Sequence, residues 1–326
     1  MIQQQHADWF SQWFNAVLRN VGTVIKGKDD QIAMALVCLF SEGHLLLEDR
    51  PGTGKTSLAK SIANSFKGKW SRIQFTPDLL PSDVTGGLIY NQGSGNFSFR
   101  AGPIFSNVVL ADEINRASPK TQSALLEVME ERQVTVGAET RPVPRPFVVI
   151  ATQNPIEQEG TYRLPEAQLD RFLMRTSLGY PSLDAEIDVL RSISEGTTAA
   201  SVQEVMSTDD IQQMIQVAER VHLEDPIRRY IVQLAQATRD PNRMPELRLG
   251  VSTRGCIGMM KTSRALAASQ GRVFVTVDDV KSVAPAVMAH RMLLTPEAEL
   301  RDVKAEDLVE RVLAQTDAPS AVRANG

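Results

Sequence analysis

The chain is short of cysteine, with two residues, Cys38 and Cys256, in 326. They lie far apart in apolar surroundings and show no C-x-x-C spacing. That excludes a disulfide framework and a thiolate zinc site, and leaves two reduced, buried thiols as the expectation. Histidine is also sparse, and His6, His44, His222 and His290 form no metal-ligand spacing. Positive charge is not in excess. The formal charge is −4 and the isoelectric point near 5.7, so no overall basic field draws the chain to nucleic acid or an anionic membrane. No uncharged apolar run approaches the ~20 residues of a membrane helix. The opening MIQQQHADWF lacks the basic and apolar segments of a secretory signal. A soluble cytoplasmic chain is expected. One glycine is missing as well. In LLLEDRPGTGKTSLAK, residues 45–60, the ending Gly54-Lys55-Thr56 fits G-x-x-x-x-G-K-[ST], except that Asp49 stands where the first glycine belongs.

What is present suits a globular protein of about two domains. Trp9, Phe10, Trp13, Phe14, Val17 and Val21 repeat at helical spacing, the mark of a helix on the protein's own core. A second helix is expected through about Phe40. From residue 44 to about 180, short apolar runs alternate with helix-like segments: 44–48, 71–75, 107–112, 147–152 and 174–180. Runs apolar on both faces and separated by helices predict an α/β domain with a buried parallel sheet sandwiched by helices. Two stretches interrupt the alternation as hairpins, 88–102 around Gly93-Ser94-Gly95 and 133–143 around Gly137. After Pro181 the pattern becomes helical, over 184–194, 209–222, 226–238, 252–269 and 277–291. The division expected is an α/β core over 1–181, an all-helical domain over 182–314 and a disordered tail over 315–326.

The loop from Pro51 through Gly52, Thr53, Gly54, Lys55 and Thr56 to Ser57 lies between an apolar strand and a helix. Gly52 and Gly54 let successive amides curl toward a phosphate, and the helix adds its N-terminal dipole. Lys55 would reach the β- and γ-phosphates of ATP, and the Thr56 hydroxyl would ligate Mg²⁺. Asp49 is compatible because Asp tolerates left-handed backbone angles. Alone, the match also fits a chance G-K-T at a helix start.

Two later strand ends, the end of a short helix and a helix start carry further polar residues. In NVVLADEINRA, Asp112 and Glu113 end an apolar strand, where ligands bind in open α/β sheets. Asp112 would hold Mg²⁺ through water and Glu113 would orient or deprotonate the attacking water. The bland alternative is a solvated acidic pair. In FVVIATQNP, Asn154 would sense the γ-phosphate or the water, although Asn-Pro alone is only a turn signal. In LPEAQLDRFLMR, Arg171 is either a surface ion-pair partner or a finger that neutralises charge in a neighbouring subunit's site. In GVSTRG, Arg254 sits in the first turn of a helix, an end that does not favour cations. It points to a nearby anion, with simple exposure as the alternative.

Taken in order, these elements resemble Walker A, Walker B, sensor 1, arginine finger and sensor 2 of an AAA+ ATPase. The strings QFTPDLLPSDVTGG, FRAGPIFSNVVLADEINRASPKTQSALLEVMEERQVTV, IATQNPIEQEGTYRLPEAQLDRF and GVSTRG are similar to the MoxR group, from about Val24 to Met292. The resemblance implies a P-loop AAA+ core with helix-2 and pre-sensor-1 hairpin insertions and a helical lid. It places Val24 to Gly27, hence Ile25 and Gly27, near the adenine. It also implies a homo-oligomer, in the family a hexamer, acting as a chaperone on a protein client with a von Willebrand factor A domain partner. Arg50 departs from the family, where an apolar residue is usual. Two other classes stay in view: a nucleic-acid motor, to which Arg141 and Arg145 lend support, beside a chelatase-type motor subunit that the strings fit less well, and a binding scaffold that scarcely hydrolyses. The acid charge balance argues against nucleic acid.

Overall fold

The computed structural model describes residues 2–93, 95–154 and 161–319. The chain groups into two compact units, one of residues 16–172 and 176–213, the other of residues 2–15, 173–175 and 214–319.

The first unit is built on parallel strands β1 (Leu45–Glu48), β2 (Trp70–Gln74), β3 (Val108–Asp112) and β4 (Val148–Gln153), which neighbour one another in the order β1-β4-β3-β2. Leu45 pairs with Ile150, Val108 with Val148, and Gln74 with Asp112. This register brings the carboxyl ends of β1, β4 and β3 together, and crossover connections put helices between the strands. Every residue of β3 is buried. Alternate residues Leu46, Val109, Ala111, Val149 and Ala151 join one apolar cluster with Leu125, Leu126 and Met129 of the helix Pro119–Glu131. Their other-face neighbours Leu45, Leu47, Leu110 and Ile150 are equally buried. Burial on both faces explains why β1, β3 and β4 read as continuous apolar runs, whereas β2 buries only Ile73.

His44 pins the start of β1. Its Nδ1 accepts the Val149 N–H at 3.0 Å, and its Nε2 faces the Met129 carbonyl at 3.1 Å. Those partners assign the neutral ring with hydrogen on Nε2. Burial, with Arg132 nearby, pushes its pKa down to about 3.

Both expected hairpins form, Gly86–Asn91 with Asn96–Ala101 and Gln133–Val136 with Glu139–Pro142. They also touch. The Arg141 guanidinium lies 4.4 Å from the Phe99 ring centroid, and a Cβ on Gly137 would sit 3.6 Å from Leu88 Cδ1.

The strand expected over 174–180 is shorter, Met174–Thr176. Gly179 turns into the left-handed region at φ 62°, and the amides of Leu178 and Gly179 serve a side chain instead of a sheet.

In the second unit the helices Asp225–Arg239, Thr253–Ser269 and Val277–Met288 match the expected stretches. Pro226 stands in the first turn of its helix, where a missing N–H costs nothing. A last helix, Ala305–Gln315, lies outside the expected stretches; Leu308, Val309 and Val312 are its buried residues, at helical spacing. It ends within the stretch expected as a disordered tail, of which residues 320–326 lie outside the described residues. Both cysteines are free, as expected, but only Cys38 is buried; Cys256 is partly exposed. It lies near the start of its helix, where side chains are not fully covered.

Candidate nucleotide and metal site

The loop after β1 meets the ends of β3 and β4 around a cavity of about 430 Å³. Pro51, Gly52, Thr53, Gly54, Lys55, Thr56 and Ser57 line one side, and Asp112, Glu113 and Asn154 the other. Gly52 and Gly54 adopt φ of 80° and 91°, and a Cβ on either would meet nothing within 4 Å. Their glycines answer to backbone angle, not to crowding. The helix Lys55–Asn64 starts from Gly54 with no side-chain cap and no acidic residue in its first turn. Its first amides and dipole therefore face the cavity without a competing anion of their own. Lys55 Nζ donates to the Asp49 carbonyl and, at 2.8 Å, to that of Arg50.

Asp49 corrects the reading that admitted it. Its φ is not among the positive ones, so tolerance of left-handed angles is not what fits Asp to this place. Its carboxylate does the fitting. Oδ1 accepts the Arg50 N–H at 2.8 Å, and Oδ2 accepts the N–H groups of Leu178 at 2.9 Å and Gly179 at 2.6 Å. Arg50, the other departure, lies over the Tyr180 ring, 5.9 Å from its centroid. Both unusual residues thus engage the same stretch of chain.

Asp112 is nearly buried, with a side chain 9% exposed. Its Oδ1 accepts the Thr152 hydroxyl at 2.5 Å. Its Oδ2 accepts Thr56 Oγ1 at 3.2 Å and the Arg72 guanidinium at 2.7 Å through Nη2. Glu113 takes a left-handed φ of 56°, unusual for a non-glycine residue. Its N–H donates to Thr152 Oγ1 at 2.9 Å. Its Oε2 accepts from Gln74 at 2.8 Å and Arg116 at 2.9 Å. Gln74 and Arg72 thereby link the Glu113 and Asp112 carboxylates, and both residues line the cavity. Asn154 is buried, and its carbonyl faces Asn115 Nδ2 at 3.4 Å.

A buried carboxylate beside a hydroxyl, both hard oxygen donors, fits Mg²⁺, which takes one or two carboxylates and fills its shell with phosphate and water. Among the described residues no group of three or more His, Cys, Asp or Glu forms an all-protein metal cage.

The remaining expected residues stand elsewhere. Arg171 Nε pairs with Glu130 at 2.9 Å and lines a second cavity, of about 520 Å³, with Glu127 and Glu131. It does not line its own chain's nucleotide cavity. Arg254 is exposed in the first turn of Thr253–Ser269, in the other compact unit. Ile25 is buried, and Gly27, at φ 64°, leaves room for Ala185: an added Cβ would lie 2.8 Å from the alanine Cβ. Neither lines the cavity.

Arg72, Gln74 and Thr152 were not singled out in the sequence. Arg72 and Gln74 alternate on β2, so both face the same side, and Gln74 pairs with Asp112 across the sheet. A sheet order is needed to see this, because 38 residues (112 − 74) separate them in the chain.

Comparison with known proteins agrees with this geometry. The family model described as ATPase family associated with various cellular activities matches residues 44–174, and that of the AAA lid domain matches 242–312. Over 309 residues the chain is 46% identical to the uncharacterized protein YeaC of Bacillus subtilis, covering 94% of this chain and 96% of the relative. Over 305 residues it is 42% identical to Chaperone MoxR1 of Mycobacterium tuberculosis, covering 92% and 80%. The crystal structure of a Cytophaga hutchinsonii protein superposes with a TM-score of 0.90 at 39% identity, covering 97% of this chain and 98% of that one.

Proposed function

The chain belongs to the MoxR family of AAA+ ATPases and has the α/β P-loop fold with an AAA lid; on that footing we propose that it is a Mg²⁺-dependent ATP hydrolase. It works as a homo-oligomeric, in all hexameric, cytoplasmic chaperone that remodels a protein complex, with a von Willebrand A domain protein as partner. The observation that carries the hydrolase reading is the meeting of an uncapped helix start, Lys55, Asp112 and Glu113 in one cavity.

In this reading the first amides of the helix Lys55–Asn64 and the Lys55 ammonium receive the β- and γ-phosphates. Thr56 and Asp112 would hold Mg²⁺, which when bound neutralises charge on those phosphates. Glu113 takes a proton from the attacking water, its carboxylate aimed by the strained backbone turn and the Gln74 and Arg116 contacts. Asn154 reports the γ-phosphate. Arg171 serves a neighbouring copy's site, which its absence from its own chain's cavity supports. Arg254 reports nucleotide state from the lid.

The first hairpin exposes Leu88, Ile89, Tyr90 and Phe97, an apolar surface suited to a protein client. Arg141, which favoured nucleic acid, is engaged internally by Phe99 and Glu139. The test is ATP turnover with DNA or RNA at several salt concentrations, beside capture of protein by the Glu113→Gln form. A protein held only with ATP is expected. Strong, salt-sensitive stimulation by nucleic acid would overturn the reading.

A further inference from the structure

The oxygen of Asp112 that faces Thr56 is fully subscribed. Oδ2 accepts Arg72 Nη2 at 2.7 Å, Arg72 Nε at 3.2 Å and Thr56 Oγ1 at 3.2 Å. A carboxylate oxygen offers about two lone-pair sites, so no acceptor capacity remains there for a metal ion or a water bound to one. Oδ1 is held by Thr152 at 2.5 Å. Of these donors Arg72 is the mobile one. Its side chain is 49% exposed against 9% for Asp112, and it is rooted on the exposed strand β2. It can therefore leave for solvent without disturbing the core. Its other contact is to Gln74 Oε1 at 2.9 Å, on the same strand. A guanidinium and a divalent cation on one oxygen also repel each other.

We infer that Arg72 is a tethered cation that occupies Asp112 until Mg²⁺ arrives with nucleotide, and so sets the Mg²⁺ concentration at which the site fills. Arg72 is a positioning residue in this account, not a catalytic one. The inference rests on the reading of Asp112 as the metal-facing carboxylate.

The test is equilibrium binding of a fluorescent ADP analogue at rising Mg²⁺, which needs no turnover. Arg72→Gln is expected to lower the Mg²⁺ midpoint about threefold to tenfold, the modest range of a half-exposed ion pair. Arg72→Lys keeps the charge but not the two-pronged contact, and its midpoint should fall between the two. An unchanged or raised midpoint in Arg72→Gln overturns the inference. So does Arg72→Lys shifting as far as Arg72→Gln, because the tethered charge would then not be what acts. Asp112→Asn separates the two levels: its midpoint should rise. If it does not move, the reading of Asp112 fails; if it rises while Arg72→Gln stays put, only the role of Arg72 fails. Circular dichroism and melting of each variant confirm that it folds.

Discussion

The Asp49 carboxylate accepts the backbone N–H of Gly179 at 2.6 Å, so the phosphate-loop position that departs from the motif is a backbone clamp. Through the same oxygen it holds Leu178, and together they tie the loop after β1 to the chain leaving Thr176.

Asp49→Ala removes the acceptor of these amides and should destabilise the protein by about 2 kcal/mol, as for hydrogen bonds to a charged group. Asp49→Gly, which restores the motif glycine, should also melt below wild type. Thermal melts of the two variants check this. A glycine variant as stable as wild type would show that the clamp contributes nothing.

His44 makes stability depend on acid. Its folded pKa is lowered to about 3, whereas in the unfolded chain the ring titrates at its ordinary 6.5. Below pH 6.5 the unfolded state therefore binds the extra proton. Stability attributable to this ring is complete above that pH and is lost progressively as pH falls toward 3. Between pH 7 and pH 5 the loss should be about 2 kcal/mol. Denaturant unfolding of wild type and His44→Gln at both pH values measures it: the variant should be less stable at pH 7 but lose less on acidification.

The site was legible in the sequence where chemistry sits next to its strand. Lys55, Thr56, Asp112, Glu113 and Asn154 each directly end a strand or open a helix, and the cavity gathers all five. Local pattern alone did not reveal what the sheet order brings in from a distance, namely Arg72 and Gln74 on β2 and Thr152 on β4. It also misplaced the reason for Asp49, because a side-chain contact 129 residues away is invisible to a motif. Strands β1, β3 and β4 were readable because both faces are buried.

Lys55→Ala should lose nucleotide binding without losing the fold, because its ammonium reaches the loop carbonyls of Asp49 and Arg50 and is not part of the apolar core. Titration with a fluorescent ATP analogue reads the affinity, and a weakening of at least about tenfold is expected from loss of a charged phosphate contact. Unchanged affinity would remove Lys55 from the site.

Arg171→Ala should lower ATP turnover by at least about a hundredfold if it acts as an arginine finger. Mixed with the separately inactive Lys55→Ala, it should recover activity, since each copy then supplies what the other lacks. Phosphate release by the mixture against either variant alone is the measurement, and absence of recovery argues against action between subunits.

The most direct test of the account is steady-state phosphate release by wild type and Glu113→Gln with Mg²⁺·ATP, alongside their ATP affinities. Loss of a general base should slow turnover by about a hundredfold or more, with affinity kept near wild type because the Asp112, Thr56 and Lys55 side of the cavity is untouched. Turnover by Glu113→Gln at the wild-type rate would contradict it.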